Sequence, residues 1–248
     1  HPTRRGSGSQ AQGADRVTEI DRRRVRAAEA ALRAAEDDQR AGGWGDRDRR
    51  EAVLGAERDL ADARGEPWAE VIDLGVRWSP GAPLPHLVSD GSRAFVVCLA
   101  DLPDPSWDGA TTRVVSPDDA TVDGIVVIEL AGCDSVMIGG PNDEALGGHP
   151  LSGRGLAPYE AHEVHRSAWI EDRIAQNSVH PHHREDGFRQ LRHLVLAFHD
   201  EMVEALCREA RAETVYGTIG GVLDACSRAI VERRPFPTTD EHLQRPLD

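Results

Sequence analysis

Seven of the eleven histidines in this 248-residue chain fall between His162 and His199. They are His162, His165, His180, His182, His183, His193 and His199, and acids stand beside most of them: Glu163, Glu185, Asp186, Asp200 and Glu204. Neutral imidazoles mixed with carboxylates are what a divalent transition metal binds. The same pairing without a metal orients one ring nitrogen and turns the other into a general base.

Four groupings carry the possible chemistry. In Tyr159–His165 (YEAHEVH), a helix would place His162 and His165 at i and i+3 on one face. That spacing can offer two imidazoles to one ion, although it is not the HExxH signature; a polar surface turn is the plainer reading. His180-Pro181-His182-His183 is a loop tract in which the proline fixes the backbone around His180, and a solvated tract that binds metal only adventitiously is the alternative. His193, His199, Asp200 and Glu204 border the apolar run LVLAF, where a carboxylate beside a half-buried histidine would orient its ring. A buried histidine satisfied by a carbonyl fits the same pattern. The loop GGPNDEALGGHPLSGRGLAP offers Asn142, Asp143, His149 and Arg154 as substrate-binding groups, the guanidinium suited to an anionic group. GGPND is also a good turn sequence.

Taken together, these groupings predict a metal-dependent enzyme acting on a small molecule. Zinc or iron would be held by a subset of His162, His180, His193 and His199. His199, Asp200, Glu204 and Glu163 would act as ligand, orienter or base, with hydrolysis slightly ahead of redox chemistry. A metal-free base made of His199 and Asp200 is a further form of the same idea. The alternative is a non-catalytic acidic binding protein, of the immunity or scaffold kind, neutralising a basic partner. The formal charge of −14, from 29 basic and 43 acidic residues, suits that alternative and argues against nucleic acid or an anionic membrane surface as partner. All basic residues are arginine; the chain has no lysine. No GxSxG, Walker or dinucleotide-binding fingerprint is present.

The elements that must position these residues read as an α+β fold: a mixed or antiparallel sheet with flanking helices, preceded by an N-terminal helical hairpin. Residues 1–14 are polar and Gly/Ser-rich and predict a loose leader. Residues 15–66 predict the hairpin, with Val17, Ile20, Ala27, Ala28 and Ala31 on one thin stripe, a stop at 41–45, and Val53, Leu54 and Leu60 on the second stripe. A homodimer through these helices is one use of the stripe; a plain surface-packed extension is the other. Residues 68–233 predict the α+β domain, and 234–248 a loose tail. Its strands are expected at Val71–Val76, Ala94–Ala100, Thr111–Val115, Gly124–Leu130 and Ser135–Ile138, with links too short for parallel crossovers. Tyr159–Asn177 reads as one helix and Thr218–Arg233 as another. Residues 188–206 fit both periods. As a hairpin they would turn at Asp200–Glu201 and put His193 and His199 on one side. As a helix they would set those rings roughly 240° apart, at about 100° per residue.

Cys98, Cys133, Cys207 and Cys226 form no CxxC pair, and Cys98 and Cys133 sit in apolar runs. These features predict a reducing, cytoplasmic setting. The first residues lack the apolar h-region of a secretory signal, and no run approaches the ~18 apolar residues of a membrane span.

Overall fold

The computed structural model describes residues 8–42, 45–102, 116 and 120–235, with side chains at residue 19 and from residue 21 onward. The strand expected at 111–115, Trp107, the side chains of Val17 and Ile20, and the tail beyond residue 235 lie outside the described residues. The chain divides into two compact units, one running up to Glu70 with Leu151–Leu156, the other comprising Val71–Pro150 and the chain from Ala157 on.

The first unit holds the hairpin of α1 (Gly8–Gly42) and α2 (Arg47–Arg64). Helix α1 starts at Gly8, inside the stretch that composition assigns to a loose leader. Asp46 caps α2 by accepting the amides of Asp48 and Arg49 at 3.1 and 3.3 Å, and Gly65 ends it in the left-handed region at φ 74°. The interhelical stripe is as thin as the sequence implies. Of α2 only Leu60 and Ala61 are buried, and ion pairs across the hairpin supplement them: Arg24 with Asp62, Arg64 with Glu29 at 2.9 Å, and Arg49 with Asp38 at 3.0 Å. Each exposed pair adds only about 0.2–1 kcal/mol. Gly155 lies against this unit's backbone: at φ 90°, a Cβ there would stand 2.3 Å from the Ala69 carbonyl oxygen, so no other residue fits.

The second unit is built on two antiparallel sheets. Strands β2 (His86–Ser89), β3 (Arg93–Leu99), β4 (Asp123–Ala131) and β9 (Glu209–Gly217) form a four-stranded sheet in the order β2-β3-β4-β9. The other sheet runs β1 (Trp68–Ile72), β6 (Ala161–His165), β7 (Arg192–Ala197), β8 (Met202–Cys207) and β5 (Ser135–Gly139), with the Val71–Ile72 end of β1 belonging to this unit. Among its described residues the unit also has the α-helices α3 (Ala168–Asn177), the short α4 (Asp186–Arg189) and α5 (Ile219–Val231).

Burial explains the strand patterns. Ala94, Val96, Cys98, Val126, Ile128 and Leu130 of one sheet pack with Leu194, Leu196, Val203, Ala205 and Cys207 of the other. The opposite face of the four-stranded sheet, with Phe95, Val97, Ile125 and Val127, packs with Ile219, Val222 and Cys226 of α5. Strands β3 and β4 are therefore buried on both faces, which is why AFVVCL and GIVVIEL read as continuous apolar runs. Each large aliphatic chain taken out of water there contributes about 1.5–3 kcal/mol.

Residues 188–206 resolve as a hairpin. The amide of Phe198 donates to the Glu201 carbonyl at 3.0 Å, closing the turn at Asp200–Glu201. Period two wins because Leu194, Leu196 and Phe198 enter the core between the sheets, while His193 and Val195 take the other face. The helix expected over Tyr159–Asn177 is corrected: Ala161–His165 is strand β6, paired with β7, and the helix begins only at Ala168 behind its cap Ser167. The alternation AHEVH, with Ala161, His162 and Val164 buried, satisfies the sheet. On a strand, His162 and His165 fall on opposite faces rather than one.

Candidate functional site

One face of the five-stranded sheet carries His162, His193 and Glu204 among the buried Val195, Ala197, Met202 and Leu206. The register places His162, Val195 and Glu204 side by side across β6, β7 and β8, with His193 two residues from Val195 on the same face. Two histidine–carboxylate centres are built on this hairpin, and both take their second partner from the loop that runs through the 3-10 helix η1 (Asp143–Gly148).

The first centre lies at the turn end. His199 follows β7, and its Nδ1 stands 3.0 Å from Oδ2 of Asp143, the first residue of η1. The Asp143 amide donates to the His199 carbonyl at 2.9 Å, fixing the two backbones together. The Tyr159 hydroxyl donates to the same Oδ2. That hydroxyl holds the Asp143 carboxyl below its ordinary range, with the His199 contact adding to the effect and burial opposing it. In return, the bond to Asp143 pushes the Tyr159 hydroxyl up, so it stays a donor. Tyr159 holds φ 63°, a strained conformation for a tyrosine that costs about 1–3 kcal/mol and tends to mark functional positions. An ionised carboxylate can only accept, so Nδ1 carries the proton; in the neutral ring the lone pair then lies on Nε2. Nε2 stands 4.0 Å from the carboxylate of the exposed Asp200, and the His199 side chain is 39% exposed.

The second centre is buried. Glu204 on β8 accepts from His193 Nε2 at 3.0 Å and His149 Nε2 at 3.4 Å, one on each oxygen. His193 Nδ1 is 2.8 Å from Ser167 Oγ, and Trp169 meets the ring edge-on at 5.3 Å between centroids. Ser167 also caps α3, its Oγ accepting the Ile170 amide at 3.2 Å. Burial pushes the Glu204 carboxyl up, and the bonds and charges of His149 and His193 more than reverse it, leaving it at about 2. The result is an unbroken polar chain, Ser167–His193–Glu204–His149, with side chains of His149 and His193 only 7% and 8% exposed.

The remaining expected residues have other duties. Glu163 lies on the sheet face opposite His162 and pairs with Arg192 at 2.6 Å. Asn142 caps η1, accepting the Ala145 amide at 3.0 Å. Arg154 belongs to the first unit, where it pairs with Glu66 at 3.4 Å. His162 is fully buried and its Nε2 accepts the Ala157 amide at 3.0 Å. His180 is exposed after α3, its Nδ1 accepting the His182 amide at 3.1 Å. Among the described residues, no group of three or more His, Cys, Asp or Glu side chains is arranged to hold a metal ion. In the second centre the imidazoles are spent on hydrogen bonds to one carboxylate. Sequence reasoning paired His199 with its neighbour Asp200 and missed Asp143 as its partner, Tyr159 as a donor and Ser167 as a cap; the serine just ahead of a helical run was the available signal for the cap.

The recess beside Tyr159, bordered by Trp78, Glu160 and the Arg77 that pairs with Glu160, encloses about 10 Å³, room for about one water molecule. No helix among the described residues is long and apolar enough to cross a membrane. No known protein family matches the chain, and comparison with curated proteins and with solved structures likewise finds no match.

Proposed function

We propose that this chain is an enzyme acting on a small molecule by general acid–base catalysis, hydrolytic in outcome, with His199 as the base and Asp143 as its orienting partner. The observation that carries this reading is the 3.0 Å contact of Asp143 with Nδ1 of a ring that is 39% exposed and whose Nε2 Asp143 does not engage. Nε2 takes a proton from a water as its oxygen attacks the electrophilic carbon or phosphorus. The imidazolium then returns that proton to the leaving group. Asp143 holds the tautomer and stabilises the imidazolium, and Tyr159 holds Asp143. The second centre, whose imidazoles are only 7% and 8% exposed against 39% for His199, is the weaker candidate for chemistry.

The test is turnover of p-nitrophenyl acetate and p-nitrophenyl phosphate by the intact chain, before and after dialysis against EDTA, with elemental analysis of the same sample. A rate above buffer that survives chelation and falls at least ~100-fold in His199→Gln fits a positioned base, whose contribution is about 10²–10⁴. Loss of the rate on chelation, restored by zinc or ferrous iron, would replace this route by a metal-dependent one. An unchanged rate in His199→Gln, or none in the parent protein, would leave the enzymatic reading without support.

The charge of −14 favours a second reading, an acidic binding protein for a basic partner, with the α1–α2 hairpin as its interface or as a contact between two copies of the chain. Salt-sensitive binding to a basic protein such as lysozyme, with no catalytic rate, would favour it.

A further inference from the structure

We infer that His149 and Glu204 are positioning residues for the Asp143–His199 pair, acting through η1; this rests on the enzymatic reading above. Helix η1 buries none of its residues, so apolar packing does not hold it. Between the end of β5 at Gly139 and η1 the chain runs Gly140-Pro141-Asn142, and η1 itself ends in Gly147-Gly148, whose backbone freedom makes a fixed path costly in entropy. Beyond the Asn142 cap and the pairing of Gly139 with Met202 on β8, polar contacts at its two ends tie it to the β7–β8 hairpin. At the start, Asp143 engages His199 through both backbone and side chain. Just past the end, His149 engages Glu204. The two attachments are reciprocal: at one end the loop supplies the acid and the hairpin the imidazole, and at the other the loop supplies the imidazole and the hairpin the acid. One attachment alone would leave η1 free to pivot about Asp143. The second fixes its direction and, with it, the orientation of the Asp143 carboxylate toward Nδ1.

The anchor on the sheet side is itself held. Glu204 cannot turn away from His149 without giving up His193, and His193 is tied to Ser167 at the start of α3. The face of β8 that carries Glu204 is thereby braced from β7 and from α3. A misoriented carboxylate no longer fixes the tautomer of His199, so the fault falls on the chemical step rather than on substrate binding.

The experiment compares His149→Gln and Glu204→Gln with the parent chain and with Arg189→Gln, a control in an exposed ion pair on α4. Two readouts are taken: amide hydrogen exchange over residues 143–149, and kcat and KM for p-nitrophenyl acetate. His149→Gln alters only the loop side of the contact, so it keeps the test sound if Glu204→Gln unfolds. The expected result is faster exchange at 143–149 by at least ~10-fold in His149→Gln, unchanged exchange in the control, and kcat lowered by ~10-fold with KM held, a tenfold change being about 1.4 kcal/mol. Exchange unaltered in His149→Gln, while His199→Gln abolishes turnover, would overturn the positioning role alone. Turnover retained in His199→Gln would overturn the enzymatic reading and the positioning role with it. A rise in KM with kcat unchanged would make His149 a binding residue and refute positioning.

Discussion

Replacing Glu204 by glutamine asks whether the buried carboxylate stabilises the second unit or burdens it. Glutamine keeps the shape and removes the charge. Two effects compete: burial of the carboxylate costs free energy, and charge-assisted bonds from His193 at 3.0 Å and His149 at 3.4 Å return it. Because the carboxyl falls from 4.5 to about 2, the bonds win. At about 1.4 kcal/mol per unit, the ionised form is favoured by on the order of 3 kcal/mol. The side chain is 17% exposed and one contact is long, so about 2–3 kcal/mol is the expected loss. For a protein of this size that is a fall in melting temperature of roughly 5–10 °C. The sign with pH follows from a depressed folded-state pKa: the stabilisation is full above about 4.5 and is lost as pH falls toward about 2. The assay is urea denaturation of parent and Glu204→Gln from pH 7 down to pH 3. The gap between them should be widest at pH 7 and shrink below pH 4.5. A glutamine variant as stable as the parent at pH 7, or more stable, would mean that desolvation dominates, and a gap independent of pH would mean the charge contributes nothing.

Three further outcomes are expected. Asp143→Asn, which leaves a group able to present either a donor or an acceptor to Nδ1, should lower kcat for p-nitrophenyl acetate by ~10²-fold or more while leaving the circular dichroism spectrum unchanged; a smaller loss than in Tyr159→Phe would reverse their assigned ranks. Gly155→Ala should destabilise the hairpin unit by more than about 1 kcal/mol, because φ 90° and a 2.3 Å approach to the Ala69 oxygen exclude a methyl group, and thermal melting reads this directly. Burial pushes the Cys207 and Cys226 thiols up to about 12, the Cys133 thiol up to about 11 and the Cys98 thiol higher still. Ellman's reagent at pH 8 should therefore react slowly with the native protein and promptly with all four cysteines in denaturant; rapid native labelling would contradict the packing of the sheets.

The local chemistry of the chain determined the stop between the two hairpin helices, the apolar strands AFVVCL and GIVVIEL, the α5 helix and the α+β class, because each depends on spacing within a short segment. It also marked the histidine-rich stretch and the 139–158 loop as the places where polar residues meet core, and it named Asp143, His149, His193, His199 and Glu204. What it could not determine is who pairs with whom. His199 reads as a partner of Asp200, yet its ring is engaged by Asp143, 56 positions earlier. His162 and His165 read as one helical face, yet pairing of β6 with β7 puts them on opposite faces. The YEAHEVH segment reads as helix and folds as strand, and residues 188–206 carry both periods in their side chains. For residues 188–206 the four-stranded sheet, by covering Leu194, Leu196 and Phe198, gave the extended form its advantage. The tertiary structure decided these cases because contacts between residues distant in sequence come from sheet register and the docking of a glycine-rich loop, and neither leaves a periodic mark in the chain.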